Sequence, residues 1–173
     1  VGGVGSGDAV IAKLDANGLV TARRTIDAGG SEGVRALGIA ADGSLLALTG
    51  ESGHAVLRSI DSATLATDTA QIDLGVADAR ALAVAADGSI AVGGARDGGA
   101  SGRDGFVTRL SASLTGTSTS AIATTGTDEV DSLAFLNGAL YAGGRTTGAL
   151  SGTTKTGATD GFVIALDAAS GAQ

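Results

Sequence analysis

Two of the acidic side chains in this sequence flank a glycine-rich segment. Asp97 and Asp104 enclose residues 98–103, a run that offers many backbone oxygens. Carboxylate and carbonyl oxygens are the ligands that calcium prefers. The same composition is typical of an ordinary exposed connector. The segment is therefore interpreted either as a calcium site or as an ordinary exposed loop.

The residue types give little support to catalysis. The chain has no cysteine and one histidine, His54, whereas nucleophilic catalysis needs a base held beside a nucleophile. Asp128 and Glu129 are adjacent, whereas glycoside hydrolysis needs two carboxylates about 5–10 Å apart across a cleft. We therefore expect a protein that is not an enzyme. We assign no catalytic, cofactor-binding or metal-ligating residue, and calcium is the one cofactor left open.

The composition predicts a folded, acidic chain with a core of small and aliphatic residues. Of 173 residues, 43% are hydrophobic and 17% charged; 30 are glycine, three phenylalanine and one tyrosine. Such a chain is too apolar to be disordered. The net charge of −7 opposes contact with a phosphate backbone, so we expect no nucleic-acid partner. No apolar run approaches the roughly 20 residues that span a bilayer, so we expect no membrane insertion.

Two motifs recur along the chain with the same period of about 50 residues, which is typical of repeat architectures. The first motif occupies residues 8–15, 54–61, 104–111 and 160–167, and the second occupies residues 35–43, 80–88 and 131–138. Each unit is interpreted as four short strands, of which the fourth covers residues 19–26 in one unit and 63–72 in the next. Tight hairpin turns between the first two strands are predicted at three dipeptides. These are Asp42-Gly43, Asp87-Gly88 and Asn137-Gly138.

The first strand of each unit alternates bulky and small side chains. Leu37 and Ile39 fall on one face and small residues on the other, and Leu82 and Val84 repeat the pattern in the next unit. This predicts sheets stacked face to face, with the large side chains of one entering the shallow face of its neighbour and both faces buried.

These observations favour an all-β fold of β-propeller blades, each a four-stranded antiparallel sheet, with a parallel β-helix as the rival. We expect a partial propeller of about 3 to 3.5 blades. Residues 1–30 would end one blade, 31–77 and 78–126 would form blades, and 127–173 would form an incomplete one. Val1–Gly3 matches residues 92–94, so the chain would begin in a second strand. A closed ring of four to eight blades would then need further blades of the same polypeptide or a second copy of the chain.

The motif Asp-Gly-Phe-Val-x-x-Leu at residues 104–110 and 160–166, together with the Leu-Ala-Val-x-x-Asp-Gly segment at 82–88, resembles the bacterial β-propeller repeats known as SBBP repeats. Such repeats occur in large secreted and surface proteins. The resemblance implies that the loops before the first strand and between the second and third share one face. His54 stands where the repeat usually has Asp. The loop residues that the resemblance marks as candidates for interaction are Asp97, Arg103, Asp104, Asp128, Glu129 and Arg145.

The function expected from this sequence is that of a non-catalytic structural or protein-interaction module. It would belong to a larger bacterial protein that is extracellular, at the cell surface or associated with an appendage, with a protein, cell-surface or filament partner. The alternative is an enzyme or carbohydrate-binding propeller whose central site is completed by other blades.

Overall fold

The computed structural model describes residues 7–167, which form β-strands and one short 3₁₀ turn at Gly99–Ser101. In chain order the strands are β1 (Ala9–Leu14), β2 (Val20–Ile26), β3 (Glu32–Ile39), β4 (Leu45–Glu51), β5 (His54–Ile60), β6 (Asp68–Val76), β7 (Asp78–Val84), β8 (Ile90–Asp97), β9 (Arg103–Leu110), β10 (Gly116–Ile122), β11 (Asp128–Leu136), β12 (Ala139–Thr146) and β13 (Asp160–Asp167). The predicted all-β class is confirmed. The predicted start in a second strand, at Val1–Gly3, lies outside the described residues.

The strands form four antiparallel sheets in which neighbours in sequence are neighbours in space. Sheet 1 contains β1 and β2, sheet 2 contains β3 to β6, sheet 3 contains β7 to β10, and sheet 4 contains β11 to β13. Every pairing within a sheet is therefore between consecutive strands. Local pairing of this kind needs only short connections.

The predicted turn dipeptides lie between the first two strands of sheets 2, 3 and 4. At the first of them, Gly43 has φ +84°, and the Asp42 carboxylate accepts a hydrogen bond from the Ser44 amide at 2.9 Å. Glycine adopts this backbone conformation without steric cost, and aspartate satisfies the exposed amide. The hairpin prediction is confirmed at these three positions.

The fourth strand of sheet 2 begins later than predicted, at Asp68 rather than residue 63. Asp61 Oδ1 accepts hydrogen bonds from the amides of Ala63 and Thr64, at 3.0 and 2.8 Å, and so closes a turn over these residues. Leu65 adopts φ +60° and is buried. Leucine rarely adopts a positive φ. Burial of the Leu65 side chain against sheet 1 stabilises this backbone conformation.

Among residues 7–167, three hydrophobic cores lie between consecutive sheets. Sheets 1 and 2 enclose Ile11, Ile26, Ala47 and Ile60; sheets 2 and 3 enclose Leu46, Leu48, Leu57, Ile90, Val92 and Phe106; sheets 3 and 4 enclose Ala91, Val107, Ile122, Val130, Leu140 and Leu166. Neighbouring residues of one strand, such as Ala91 and Val92, therefore enter different cores. Sheets 2 and 3 each contribute to two cores, one on each face.

Large side chains pack onto glycine in the neighbouring sheet, as predicted. A methyl group added at Gly38 of sheet 2 would lie 3.2 Å from Leu82 Cδ2 of sheet 3. One added at Gly93 of sheet 3 would lie 2.8 Å from Val130 Cγ1 and 3.1 Å from Leu133 Cδ1 of sheet 4. The small faces of sheets 2 and 3 are thus filled by the bulky faces of sheets 3 and 4 at these positions.

The prediction of two buried faces is wrong for β3. Leu37 and Ile39 are 53% and 61% exposed. Their face points toward sheet 1, in which the described residues form two strands that cover only part of sheet 2. With Ile11 and Leu65, these side chains line an apolar groove of about 360 Å³.

Replacing Gly93 by valine should destabilise the fold, because the new side chain meets Val130 and Leu133 across the interface. We expect Gly93→Val to lower the free energy of unfolding by about 1–3 kcal/mol in urea titrations followed by circular dichroism. Gly33→Val is the matched control, because no atom lies within 4 Å of a methyl group added there. Equal effects of the two substitutions would contradict the packing scheme.

Candidate functional site

The first strands of sheets 2, 3 and 4 share a local irregularity at one end. The strand register shifts between Val34 and Ala36, between Ala79 and Ala81, and between Val130 and Ser132. The extra residues at these bulges are Arg35, Arg80 and Asp131. A bulge changes the direction of its side chain and often occurs beside a functional site.

Around the second bulge, ionic groups join sheets 3 and 4. Glu129 accepts hydrogen bonds from Arg80, at 2.9 Å, and from Arg145, and its other oxygen lies 3.5 Å from Arg103 Nε. Asp78 accepts hydrogen bonds from Arg80 at 2.6 Å and from Arg103 at 2.8 Å. We call these five residues the Arg80–Glu129 cluster. Two carboxylates and three guanidinium groups therefore form one network.

The arginines keep both carboxylates of this cluster ionised. The hydrogen bond from Arg80 holds the pKa of Asp78 below its ordinary value, although burial opposes this. Burial raises the pKa of Glu129, but the hydrogen bond from Arg145 and the charges of Arg80 and Arg103 outweigh it, so that its pKa is also lowered. Neither group is placed to carry a proton near neutral pH.

Three of the six interaction residues suggested by the sequence come together in this cluster, namely Arg103, Glu129 and Arg145. Asp128 does not join them, although it is the next residue to Glu129. Its side chain is fully buried and accepts a hydrogen bond from the Thr124 amide at 2.7 Å. Its role in this structure is to hold the turn before β11.

The remaining two, Asp97 and Asp104, lie at the loop between β8 and β9. Asp97 accepts a hydrogen bond from the Gly99 amide at 2.9 Å, at the start of the 3₁₀ turn. The Asp104 carboxylate packs against Gly98, where an added methyl group would lie 2.2 Å from Oδ2. Among residues 7–167, neither aspartate belongs to a group of three or more acidic or histidine side chains spaced as metal ligands.

A second ionic network, not anticipated from the sequence, joins sheets 1 and 2. Arg58 donates to both oxygens of Glu51, at 3.0 and 2.8 Å, and to Asp68 at 2.8 Å. Arg24 of sheet 1 lies 2.8 Å from the other oxygen of Asp68. Burial raises the pKa of Glu51, but the hydrogen bonds from Arg58 and Thr49 together lower it by more, so that the net shift is downward.

A cleft of about 590 Å³ opens between sheets 2 and 3, next to the Arg80–Glu129 cluster. Four arginines line it: Arg35, Arg80, Arg96 and Arg103. Arg96 lies over the ring of Phe106, 5.7 Å from its centre. Such a lining suits a group with negative charge, but Asp78 and Asp97 line it too and offset part of the positive charge.

His54 also lines this cleft, and its Nδ1 lies 2.9 Å from Asp73. Both side chains are about half exposed. The contact with Asp73 orients the imidazole ring at the protein surface. It does not by itself supply a nucleophile.

Sequence reasoning missed the role of Arg80, although a signal for it was present. The Arg-Ala-Leu motif occurs at residues 35–37 and again at 80–82. An arginine at the same place of the repeat in two units is the signal that could have selected Arg80. Its partner Glu129, which lies 49 residues away, became visible only with the contact between sheets 3 and 4.

No protein-family model matches this chain, and no curated protein is found to match it. Within residues 7–167, no helix is long and apolar enough to cross a bilayer. The geometry itself defines an all-β protein made of antiparallel sheets packed face to face, with ionic networks at the sheet ends.

Replacing Glu129 by glutamine should destabilise the protein, because it removes the charge that Arg80, Arg103 and Arg145 share. We expect a loss of about 1–3 kcal/mol in the free energy of unfolding, measured in urea. Asp131→Asn is the control, because that carboxylate is 40% exposed and lies 3.7 Å from Arg80. Its loss should cost less than about 1 kcal/mol. A Glu129→Gln protein as stable as the control would refute a stabilising role for the cluster.

Acid should weaken the fold. Because the pKa values of Glu51, Asp78 and Glu129 lie below the ordinary 4.5 for Glu and 3.8 for Asp, the unfolded chain binds protons more readily than the native one. The ionised carboxylates therefore contribute fully to the free energy of unfolding above pH 4.5. This contribution is lost as the pH falls through their pKa values in the native state. Urea titrations at a series of pH values should show this decline. The free energy of unfolding should change less steeply with pH in Glu129→Gln than in the wild type. Stability that rises on acidification would contradict this assignment.

Proposed function

We propose that this chain is a non-catalytic structural and protein-binding module in which each sheet acts as the blade of a β-propeller. The observation that carries the proposal is the order of the three cores. Sheet 1 packs on sheet 2, sheet 2 on sheet 3, and sheet 3 on sheet 4, always between consecutive sheets. Successive antiparallel meanders packed in this way are characteristic of propellers.

The ionic side chains support a structural role over a catalytic one. In the Arg80–Glu129 cluster, Asp78 and Glu129 are held by arginines and have lowered pKa values. A general acid needs a raised pKa, and paired carboxylates of a glycosidase need one acid of that kind. Arg80 bridges the two sheets, since it binds Asp78 of sheet 3 and Glu129 of sheet 4. Its contacts serve the alignment of the sheets.

The outer face of sheet 4 supports binding of a further sheet. Its outward residues are mostly small or apolar and pair across the three strands: Ser132, Ala134, Tyr141, Gly143, Val163 and Ala165. Val163 is 76% exposed. Within the chain, faces of this kind are covered by leucine and valine of the next sheet, as Gly93 is by Val130 and Leu133. A sheet with a bulky aliphatic face is therefore the partner that this surface fits.

The cellular setting follows from the resemblance to SBBP repeats, which implies a bacterial extracellular, cell-surface or appendage-associated protein. The net charge of −7 and the lack of cysteine are compatible with that setting. In it, the module would act by shape, by packing onto sheets of the same type and by presenting its loops to a protein or filament partner.

A charge placed on the outer face of sheet 4 should block docking there. In the isolated chain the available partner is a second copy, whose exposed Leu37 and Ile39 offer a bulky face. We expect the wild type to self-associate in size-exclusion chromatography with light scattering, and Val163→Asp to be monomeric. Val76→Asp is the matched control, since Val76 is 73% exposed and lies outside sheet 4. A monomeric wild type, or association unaffected by Val163→Asp, would count against docking on this face.

A further inference from the structure

Three carboxylates from separate parts of the chain converge where sheet 1 meets sheet 2. Asp8 immediately precedes β1, Asp27 immediately follows β2, and Glu32 is the first residue of β3. One carboxylate oxygen of each lies within 4.8 Å of those of the other two. We call these residues the acidic triad. Like charges at this distance repel one another unless a cation lies between them.

Glu32 is the member of the triad that most needs such a cation. It is only 7% exposed. Its Oε1 accepts a hydrogen bond from the Gly30 amide at 2.9 Å, whereas its Oε2 is buried with no hydrogen-bond partner among the described residues. A buried carboxylate oxygen without a partner is strongly unfavourable, because it has lost its water and gained nothing in exchange.

Among the described residues, the triad differs from the buried Glu51 and Glu129 in having no ion pair with a basic side chain. Elsewhere, Glu51 is paired with Arg58, and Glu129 with Arg80 and Arg145. Among residues 7–167, no arginine, lysine or histidine forms an ion pair with a member of the triad. The charge that arginine supplies in the other networks is missing here.

We propose that Asp8, Asp27 and Glu32 bind a calcium ion that links sheet 1 to sheet 2. Three carboxylates offer the hard oxygen ligands that calcium takes, and calcium tolerates the irregular geometry that ligands from three chain segments provide. Magnesium demands a near-ideal octahedron and is usually held by one or two carboxylates with several waters. A bound calcium ion gives Glu32 Oε2 a partner and neutralises the repulsion within the triad.

The site also fits the way the two sheets are joined. The Glu32 amide donates a hydrogen bond to the Gly7 carbonyl at 2.7 Å, so that the backbone next to Asp8 already reaches β3. An ion held by Asp8 and Asp27 on one side and Glu32 on the other strengthens that link. Calcium here therefore has a structural role that does not depend on the module's partner.

The test is a calcium titration of the full chain, freed of metal with a chelator, by calorimetry and thermal unfolding. We expect one calcium ion per chain, a dissociation constant of about 0.1–1 mM, as in extracellular modules, and a rise in Tm. Glu32→Gln should abolish binding and the rise. In the presence of the chelator it should unfold at or above the wild-type Tm, because it removes a buried unpaired charge. Asp42→Asn, in an exposed turn, should bind calcium as the wild type does.

Asp27→Asn is the second variant, because Asp27 is exposed and its replacement should not impair folding. We expect it to weaken calcium binding by about tenfold or more, since it removes one of three ligand charges. The proposal is overturned if the wild type shows neither binding heat nor a Tm shift with calcium. It is also overturned if Glu32→Gln and Asp27→Asn bind as tightly as the wild type, or if magnesium gives the same shift at the same concentration.

Discussion

Close contact between sheets across glycine and alanine is the constraint on which the rest of this structure depends. With three phenylalanines and no tryptophan, the chain has few side chains that fill a wide gap. The sheets must therefore approach until leucine and valine reach the backbone opposite, as Leu82 does at Gly38 and Val130 at Gly93. At that separation the interior is dry and tightly packed. At Gly38 and Gly93, a side chain larger than hydrogen would press against the opposite sheet.

Dry interfaces determine where charge can lie. Charged groups collect at the sheet ends, and there the arginines reach from one sheet to the next: Arg24 from sheet 1 to Asp68, and Arg80 from sheet 3 to Glu129. Apolar packing is non-directional, so it favours contact without by itself fixing the relative orientation of two sheets. Ion pairs with fixed geometry restrict that orientation, because the guanidinium group binds carboxylates in a defined orientation. Packing holds the sheets together, and the ionic networks align them.

The features that the sequence predicts well are those set by local chemistry. The turn at Asp42-Gly43 follows from backbone preferences of two adjacent residues, and the faces of β7 follow from alternation along one strand. The turn at Leu65 was missed, because a leucine at positive φ is favoured only by its burial. The sequence indicates Arg103, Glu129 and Arg145 only as three separate loop residues. Their meeting depends on a bulge and on the contact between sheets 3 and 4, which no local pattern contains.

Buried glutamates near the two ends of the stack, Glu129 and Glu32, are neutralised in different ways. Between sheets 3 and 4, arginine neutralises the buried Glu129, and this cation belongs to the chain. Between sheets 1 and 2, Glu32 has no such partner among the described residues, and in our assignment the cation comes from solution. An ion pair within the chain acts at any calcium concentration, whereas a bound ion stabilises only in proportion to its saturation. Sheet 1 is therefore held to sheet 2 partly by the Arg24–Asp68 ion pair and, in our assignment, partly by calcium, and only the second part responds to the calcium concentration.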